Sequence, residues 1–292
     1  MKILITGING LLGRSLANIL VKDEHTVYGI SHVEIKNQIK HVEYLNIDLS
    51  ENWSTNQLPK EIDVIVHLAQ SSKFRSFPEN ALDVFNVNIH STAKLLDFAS
   101  KNSISKFIYT SSGGVYKKRN EPFLETESLL MPKELGYYLG SKASGEILAQ
   151  SYISEFNVVI LRPFFIYGPN QNRTMLIPRI FDNISNNQPI ILDGKEGLSL
   201  NPIHVSDAAK ATQMAIHLNN SSIFNLGGPN ILTLKKIATE MGVFLKKDPI
   251  FEITDKDPDF LIADIGEMSA KLHNPKISLL SSFEDIAANT IS

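Results

Sequence analysis

Apolar residues fall along this chain in short unbroken runs that alternate with stretches of helical spacing. Residues 2–6 form one such run, glycines follow, and residues 11–21 then repeat apolar side chains at helical spacing. Further strands are predicted at 25–30 and, more weakly, at 41–45. The segment DVIVHL at 63–68 is apolar almost throughout, which suits a strand covered on both faces. A long amphipathic helix is predicted over 83–100, with Val84, Val87, Leu95, Leu96 and Phe98 turned to the core. A strand at 106–110, a helix at 136–153 and a strand at 157–162 complete the series. Alternation of this kind predicts an α/β fold built on a doubly wound parallel sheet with helices on both faces.

Beyond residue 163 the pattern loosens. Pro, Asn and Gly cluster at 168–172, 186–189 and 227–230, and short helices are predicted at 176–184, 205–218 and 233–244. The expected division is a nucleotide-binding domain over 1–165 and a smaller substrate-binding region over 166–292, some of whose segments return to the main sheet.

Composition narrows the classes. At 292 residues, 43% hydrophobic and 20% charged, the chain has the make-up of a folded globular protein. A formal net charge of −3 gives no electrostatic basis for a nucleic-acid partner. No apolar run approaches the roughly 18 residues of a membrane span. The start, MKILITG, enters a strand pattern directly and has no leader-like regions, so a cytoplasmic protein is expected. The absence of cysteine excludes disulfides, thiolate nucleophiles and cysteine-held metals. The histidines show no HxH or HExxH spacing, so no metal site is expected, and His67 reads as a core residue.

Chemistry enters at the first turn. Thr6-Gly7-Ile8-Asn9-Gly10-Leu11-Leu12-Gly13 joins the first strand to the first helix. Gly7 permits the tight turn, Gly10 lets backbone approach a pyrophosphate, and Gly13 allows close helix–strand packing, with the helix N-terminus facing the anion. Leu11 and Leu12 belong to the same cofactor-binding set. An acid at the end of the second strand would hydrogen-bond the ribose 2′-hydroxyl of NAD, but that position holds Ser31. A missing carboxylate removes a barrier to a 2′-phosphate, and Lys36 lies close by in sequence, so NADP(H) is expected over NAD(H). Asp48 and Leu49 suit the adenine side, and Leu68 with the small Ala69 ends the fourth strand where backbone can approach the cofactor.

Two more segments suggest a reaction. Ser111-Ser112-Gly113-Gly114 leaves the fifth strand at its carboxyl end, where doubly wound sheets place ligands. Tyr138 and Lys142 stand at i and i+4 on one helix face. A phenol titrates near 10, and an ammonium together with a bound nicotinamide would lower that value. Tyr138 is then the acid–base residue on a carbinol or carbonyl oxygen, Ser112 holds that oxygen, and Lys142 also fixes the nicotinamide ribose.

Taken together, these residues resemble the extended short-chain dehydrogenase/reductases, specifically the NAD-dependent epimerase/dehydratase family that modifies nucleotide sugars. The similarity runs over TGINGLLG at 6–13, HLA at 67–69, NVNIHST around Asn88, SSGGVY at 111–116, YLGSK at 138–142, LRPFFIYGP at 161–169, HVSD at 204–207 and FNLGG at 224–228. It implies a Rossmann domain with a smaller substrate domain, and a homodimer packed through the long helices after the fourth and fifth strands. It also places Asn88 near the active site, and Pro163 is counted with the cofactor contacts.

Departures from the family narrow the reaction. Dehydratases carry an Asp–Glu pair after the catalytic hydroxyl, where this chain has Gly113-Gly114, and decarboxylases place a glutamate in that loop. The 3,5-epimerising reductases use a cysteine, and the chain has none. A frequent diphosphate-binding arginine is replaced by Leu200 and a frequent asparagine by Phe165, which leaves Arg173 and Arg179 as candidate substrate cations. The expectation is an NAD(P)-dependent oxidoreductase acting on a nucleotide-linked sugar, with a 4-keto sugar reductase as the main reading. A 4-epimerase and a non-catalytic dinucleotide sensor are the alternatives.

Overall fold

The computed structural model describes residues 1–32 and 37–288. Six strands and four helices open the chain: β1 (Lys2–Thr6), α1 (Leu11–Lys22), β2 (Thr26–Ser31), β3 (Val42–Asn46), β4 (Val64–His67), α2 (Ala81–Phe85), α3 (Ser91–Lys101), β5 (Lys106–Thr110), α4 (Pro132–Gln150) and β6 (Asn157–Pro163). The seven-stranded main sheet runs in the order Ser222–Leu226, β6, β5, β4, β1, β2, β3, and the five pairings among β1–β6 are all parallel. This is a Rossmann-type sheet whose order reverses direction at β1. β4 and β5 are buried along their whole length, as apolar strands covered by helices on both faces must be.

The register decides where chemistry can gather. Thr6 pairs with Ile30 on one side and His67 on the other, and His67 pairs with Tyr109. Thr6, Ser31, His67 and Thr110 therefore end neighbouring strands along one edge, beside the point where the strand order reverses.

One compact unit comprises residues Met1–Lys117, Ser128–Arg162 and Ala209–Phe224. Leu4, Ile30, Trp53, Ile65, Leu95, Leu96, Phe98 and Phe107 pack in its core, and Trp53 donates its indole N–H to Ser91 Oγ at 3.0 Å. The second unit comprises Lys118–Glu127, Pro163–Ala208 and Asn225–Ser292. Within it β7 (Ile166–Tyr167), α5 (Leu176–Ser185), β8 (Ile190–Asp193), β9 (Ser199–Leu200) and β10 (Ile203–His204) follow in order. Its core joins Tyr167, Ile177, Phe181, Leu192, Leu200, Ile237 and Met241. No helix among the described residues is long and apolar enough to cross a membrane.

Two helices differ from their predicted form. The single helix expected over 83–100 is broken into α2, a π-helical turn at Asn86–His90, and α3. Side chains hold the wide turn in place: Asn86 Nδ2 donates to the Ser50 carbonyl at 2.8 Å, and Thr92 Oγ1 donates to the Asn88 carbonyl at 2.7 Å. The helix expected from 136 begins instead at Pro132 and is interrupted at Gly136, where φ of 63° and ψ of 178° leave the helical region. Only glycine adopts that pair of angles without strain.

Candidate active site

The glycine turn is built from backbone. Gly7 sits at φ +69°, and a Cβ there would stand 2.8 Å from the Ala69 nitrogen. A Cβ on Gly13 would stand 2.3 Å from the Gly7 carbonyl oxygen, so α1 can lie against the turn only with glycine at that position. Leu11 and Leu12 form the first turn of α1, which carries no acidic side chain, and Gly10 caps it without a side-chain hydrogen bond. Its first N–H groups are thus available to an anion.

A cleft of about 460 Å³ opens beside this turn, lined by Gly7, Asn9, Gly10, Ser31, Asp48, Leu49, Leu68, Ala69 and Gln70, among others. Of the cofactor residues expected from sequence, Gly7, Gly10, Ser31, Asp48, Leu49, Leu68 and Ala69 thus line one cavity. Leu11, Leu12 and Gly13 belong to the start of α1, and Tyr138 and Lys142 are not among the lining residues. Burial resists ionisation of Asp48, but hydrogen bonds from the Ser50 hydroxyl (2.7 Å) and N–H (2.9 Å) outweigh it and hold the carboxyl below its usual range.

The floor of the cleft is tied down by a buried chain of hydrogen bonds. Thr92 donates to the Asn88 carbonyl, so its oxygen accepts from His67 Nε2 at 2.9 Å. His67 Nδ1 is then the acceptor for the Thr6 hydroxyl at 2.6 Å, and Thr6 Oγ1 in turn accepts the Ala69 N–H at 3.1 Å. Burial pushes the His67 pKa down to about 3, so the ring is neutral, as this pattern of donors requires.

Asn9 is a site residue that the sequence pattern does not single out, although it lies inside the glycine turn. Its Nδ2 donates to Ser31 Oγ at 2.5 Å, while its Oδ1 is buried without a partner. Thr110 Oγ1 and Ser111 Oγ, at the carboxyl end of β5, are likewise buried and unpartnered. Unmatched buried polar atoms, glycines that a Cβ would close, and an uncapped helix start together fit a dinucleotide.

At the end of β5, Ser112 Oγ accepts the Gly114 N–H at 3.2 Å, which starts a short 3₁₀ turn. The Tyr138 hydroxyl donates to Gln70 Oε1 at 3.0 Å and also meets the Ser112 hydroxyl. Lys142 is buried and donates from Nζ to the Thr110 carbonyl at 2.9 Å. Ser112, Tyr138 and Lys142 are thus gathered at one strand end.

Their ionisation differs from expectation. Burial pushes the Tyr138 phenol up to about 12, against the Ser112 hydrogen bond and the positive charge of Arg75. Burial also pulls the Lys142 ammonium down to about 8, and Glu146, one turn further along α4, opposes this. The polypeptide by itself therefore raises the phenol where the Tyr–Lys spacing predicts it lowered, because desolvation outweighs the nearby charges. Glu146 is itself fully buried, paired through both oxygens with Arg162 at 3.0 and 2.6 Å, and Arg162 donates to the Tyr116 hydroxyl at 2.7 Å.

Other residues expected at the site have partners of their own. Asn88 has both ends of its amide engaged within the protein: Oδ1 accepts from the Ser71 N–H at 3.0 Å and Nδ2 donates to Ser141 Oγ at 2.8 Å. Pro163, Arg173 and Arg179 belong to the second unit. There Arg173 forms a two-pronged pair with Asp182 and donates to the Ile286 carbonyl at 2.9 Å, while Arg179 is exposed on α5. Leu200 is a fully buried core residue, and Phe165, at φ +53°, packs against the same core. Lys36 lies outside the described residues.

Comparison with known proteins bears on the whole arrangement. The model of the NAD dependent epimerase/dehydratase family matches residues 3–227. An uncharacterized UDP-glucose epimerase of Bacillus subtilis, YtcB, is 29% identical, with 96% of this chain and 94% of that protein covered. A UDP-glucuronate 4-epimerase of Thermodesulfobacterium geofontis is 25% identical over 77% of this chain and 74% of its own. Among solved structures, the Bacillus cereus UDP-glucuronic acid 4-epimerase in complex with UDP-glucuronic acid and NAD superposes with a TM-score of 0.87. It is 25% identical, over 99% of this chain and 98% of that one.

These structures overturn the expectation of NADP(H). Six similar structures, among them the Bacillus cereus enzyme and the UDP-glucose 4-epimerase of Thermus thermophilus, hold NAD. The physical reason lies in what a serine does. Its hydroxyl removes the repulsion a carboxylate would exert on a 2′-phosphate, but it supplies no positive charge to attract one. Its hydrogen bond serves a ribose hydroxyl equally well.

Proposed function

Because the chain belongs to the NAD dependent epimerase/dehydratase family, we propose that it is an NAD-holding 4-epimerase of a UDP-linked sugar. The observation that carries this reading is the meeting of the Tyr138 and Ser112 hydroxyls at the end of β5, followed by Gly113-Gly114. Elimination of water needs an acid at one carbon and a base at the next, and this loop offers neither carboxylate. Inversion at C4 needs no second carboxylate: a hydride leaves C4 and returns to its opposite face while a proton is taken from, and returned to, one oxygen. Ser112 holds that oxygen, and Tyr138 takes its proton as the C–H bond breaks and gives it back on return. Lys142, one helical turn from Tyr138 and bonded to the Thr110 carbonyl, adds positive charge on the same helix face that favours the phenolate during the interval. A bound NAD supplies the hydride acceptor and donor. The named 4-epimerases among the relatives, and NAD in the solved Bacillus cereus enzyme, support the same reading.

The exposed apolar side chains Leu82 and Phe85 of α2 and Ile147 of α4 support a homodimer packed through these helices. A chain without cysteine that uses a soluble nucleotide cofactor suits a cytoplasmic setting.

The test is incubation of purified protein with UDP-glucuronic acid and UDP-glucose with no added dinucleotide. The C4 epimer of one of them should accumulate to equilibrium, and denatured protein should release NAD. No epimer from either sugar, together with stoichiometric oxidation of added NADH or NADPH by a 4-keto nucleotide sugar, would instead support the reductase reading.

A further inference from the structure

The loop after β4 grips Tyr138 at three places. At the backbone, Ser71 N–H donates to Asn88, Asn88 Nδ2 donates to Ser141 Oγ, and the Ser141 hydroxyl donates to the Tyr138 carbonyl at 2.7 Å. Ser71, Asn88 and Ser141 are all buried, so this end is rigid. At the ring, Phe74 lies 4.7 Å from Tyr138 between centroids. At the tip, the phenol donates to Gln70 Oε1. Phe77 stacks on the neighbouring Tyr137 at 4.7 Å, and the Tyr137 hydroxyl donates to the Ala81 carbonyl at 2.9 Å, which ties the far end of the loop to the same helix.

We propose that Gln70 is a positioning residue that aims the Tyr138 hydroxyl and keeps it protonated until a substrate oxygen displaces the amide carbonyl. This rests on Tyr138 being the acid–base residue. With Oε1 turned to Tyr138, the Gln70 amide presents only an acceptor, which bonds the phenol and repels the phenolate. Arg75 favours the phenolate, and Ser112 donates to it. Glu146 lies one turn beyond Lys142, and Tyr109, whose ionisation Tyr138 affects, lines the same strand end. Lys73 of the loop and Asp83 of α2 neutralise each other in a 3.0 Å pair. Gln70 is thus set against Arg75 and Ser112 and restrains them. Its exposed place means that replacing it leaves the core intact.

Two substitutions of opposite sign test this. Tyrosines are replaced by 3,5-difluorotyrosine, whose ring fluorines acidify the phenol, and Tyr138 in the NAD-loaded full chain is titrated by fluorine NMR, with Tyr138→Phe identifying its signal. Gln70→Ala should lower that titration by about half to one pH unit, because water can donate to the phenolate where the amide carbonyl could not. Gln70→Glu should raise it by about as much through like-charge repulsion. The acid limb of kcat/KM for UDP-glucuronic acid should move in the same directions. Shifts of one sign in both variants, or none beyond about 0.2 unit on this scale, would overturn the proposal. Opposite shifts without any turnover would leave it standing and remove the epimerase reading instead.

Discussion

The two ends of this active site are made in opposite ways. Around β1 the dinucleotide cradle is formed by what is missing: no Cβ at Gly7 or Gly13, no side-chain cap on α1, no acid in its first turn. Around Tyr138 the contacts run through side chains: Gln70, far away in sequence, holds the phenol's tip, and Ser141, itself held by the distant Asn88, holds its backbone carbonyl. A site made of backbone tolerates nothing added, while a site made of contacts suffers when something is removed. The cradle should therefore fail by crowding and the phenol site by loss of a partner.

The sharpest separation should come from Tyr138→Phe. Removing the acid–base hydroxyl should lower kcat by about 10²- to 10⁴-fold, with thermal stability and retained NAD unchanged. Loss of NAD in that variant would mean that the two ends are not separable. Gly13→Val should do the reverse. Its side chain meets the Gly7 carbonyl and Ile8 backbone, so stability should fall by about 3 kcal/mol in urea titrations and bound nucleotide should disappear.

Asn88→Ala should leave the buried Ser71 N–H without its partner and Ser141 Oγ without its donor, at a stability loss of about 1–3 kcal/mol. Its kcat should fall more than its nucleotide content, since the strand ends that form the cradle do not depend on it. The smallest effect belongs to His67. It is neutral when folded, with a pKa near 3, and returns to about 6.5 on unfolding, so the unfolded chain binds one more proton between these values. Stability should be complete above pH 7 and fall by about 1.4 kcal/mol per pH unit below 6. In His67→Gln that slope should flatten, as urea titrations at pH 7, 6 and 5 would show.

The same contrast explains what could be read from sequence. Gly7, Gly10 and Gly13 are legible because backbone geometry there admits one residue type, and the strand order follows from uninterrupted apolar runs such as the buried β4. Tyr138 and Lys142 are legible because helical spacing is local. Gln70 is not, since it meets Tyr138 across 68 positions. The π-helical turn also escapes periodicity, because its apolar spacing still satisfies an ordinary helix. The error at Ser31 is instructive in another way: a missing carboxylate is no evidence for a phosphate, and only a cation facing the ribose would be.

The wide turn at Asn86–His90 makes this helix sensitive to length rather than to identity. Deleting one residue within it would leave a continuous α-helix that folds readily. It would also swing the segment before the deletion by about 100° relative to the segment after it. Asn88 could then no longer reach both Ser71 and Ser141, so a one-codon deletion, quiet for assembly, would disconnect the loop from the helix that carries the phenol.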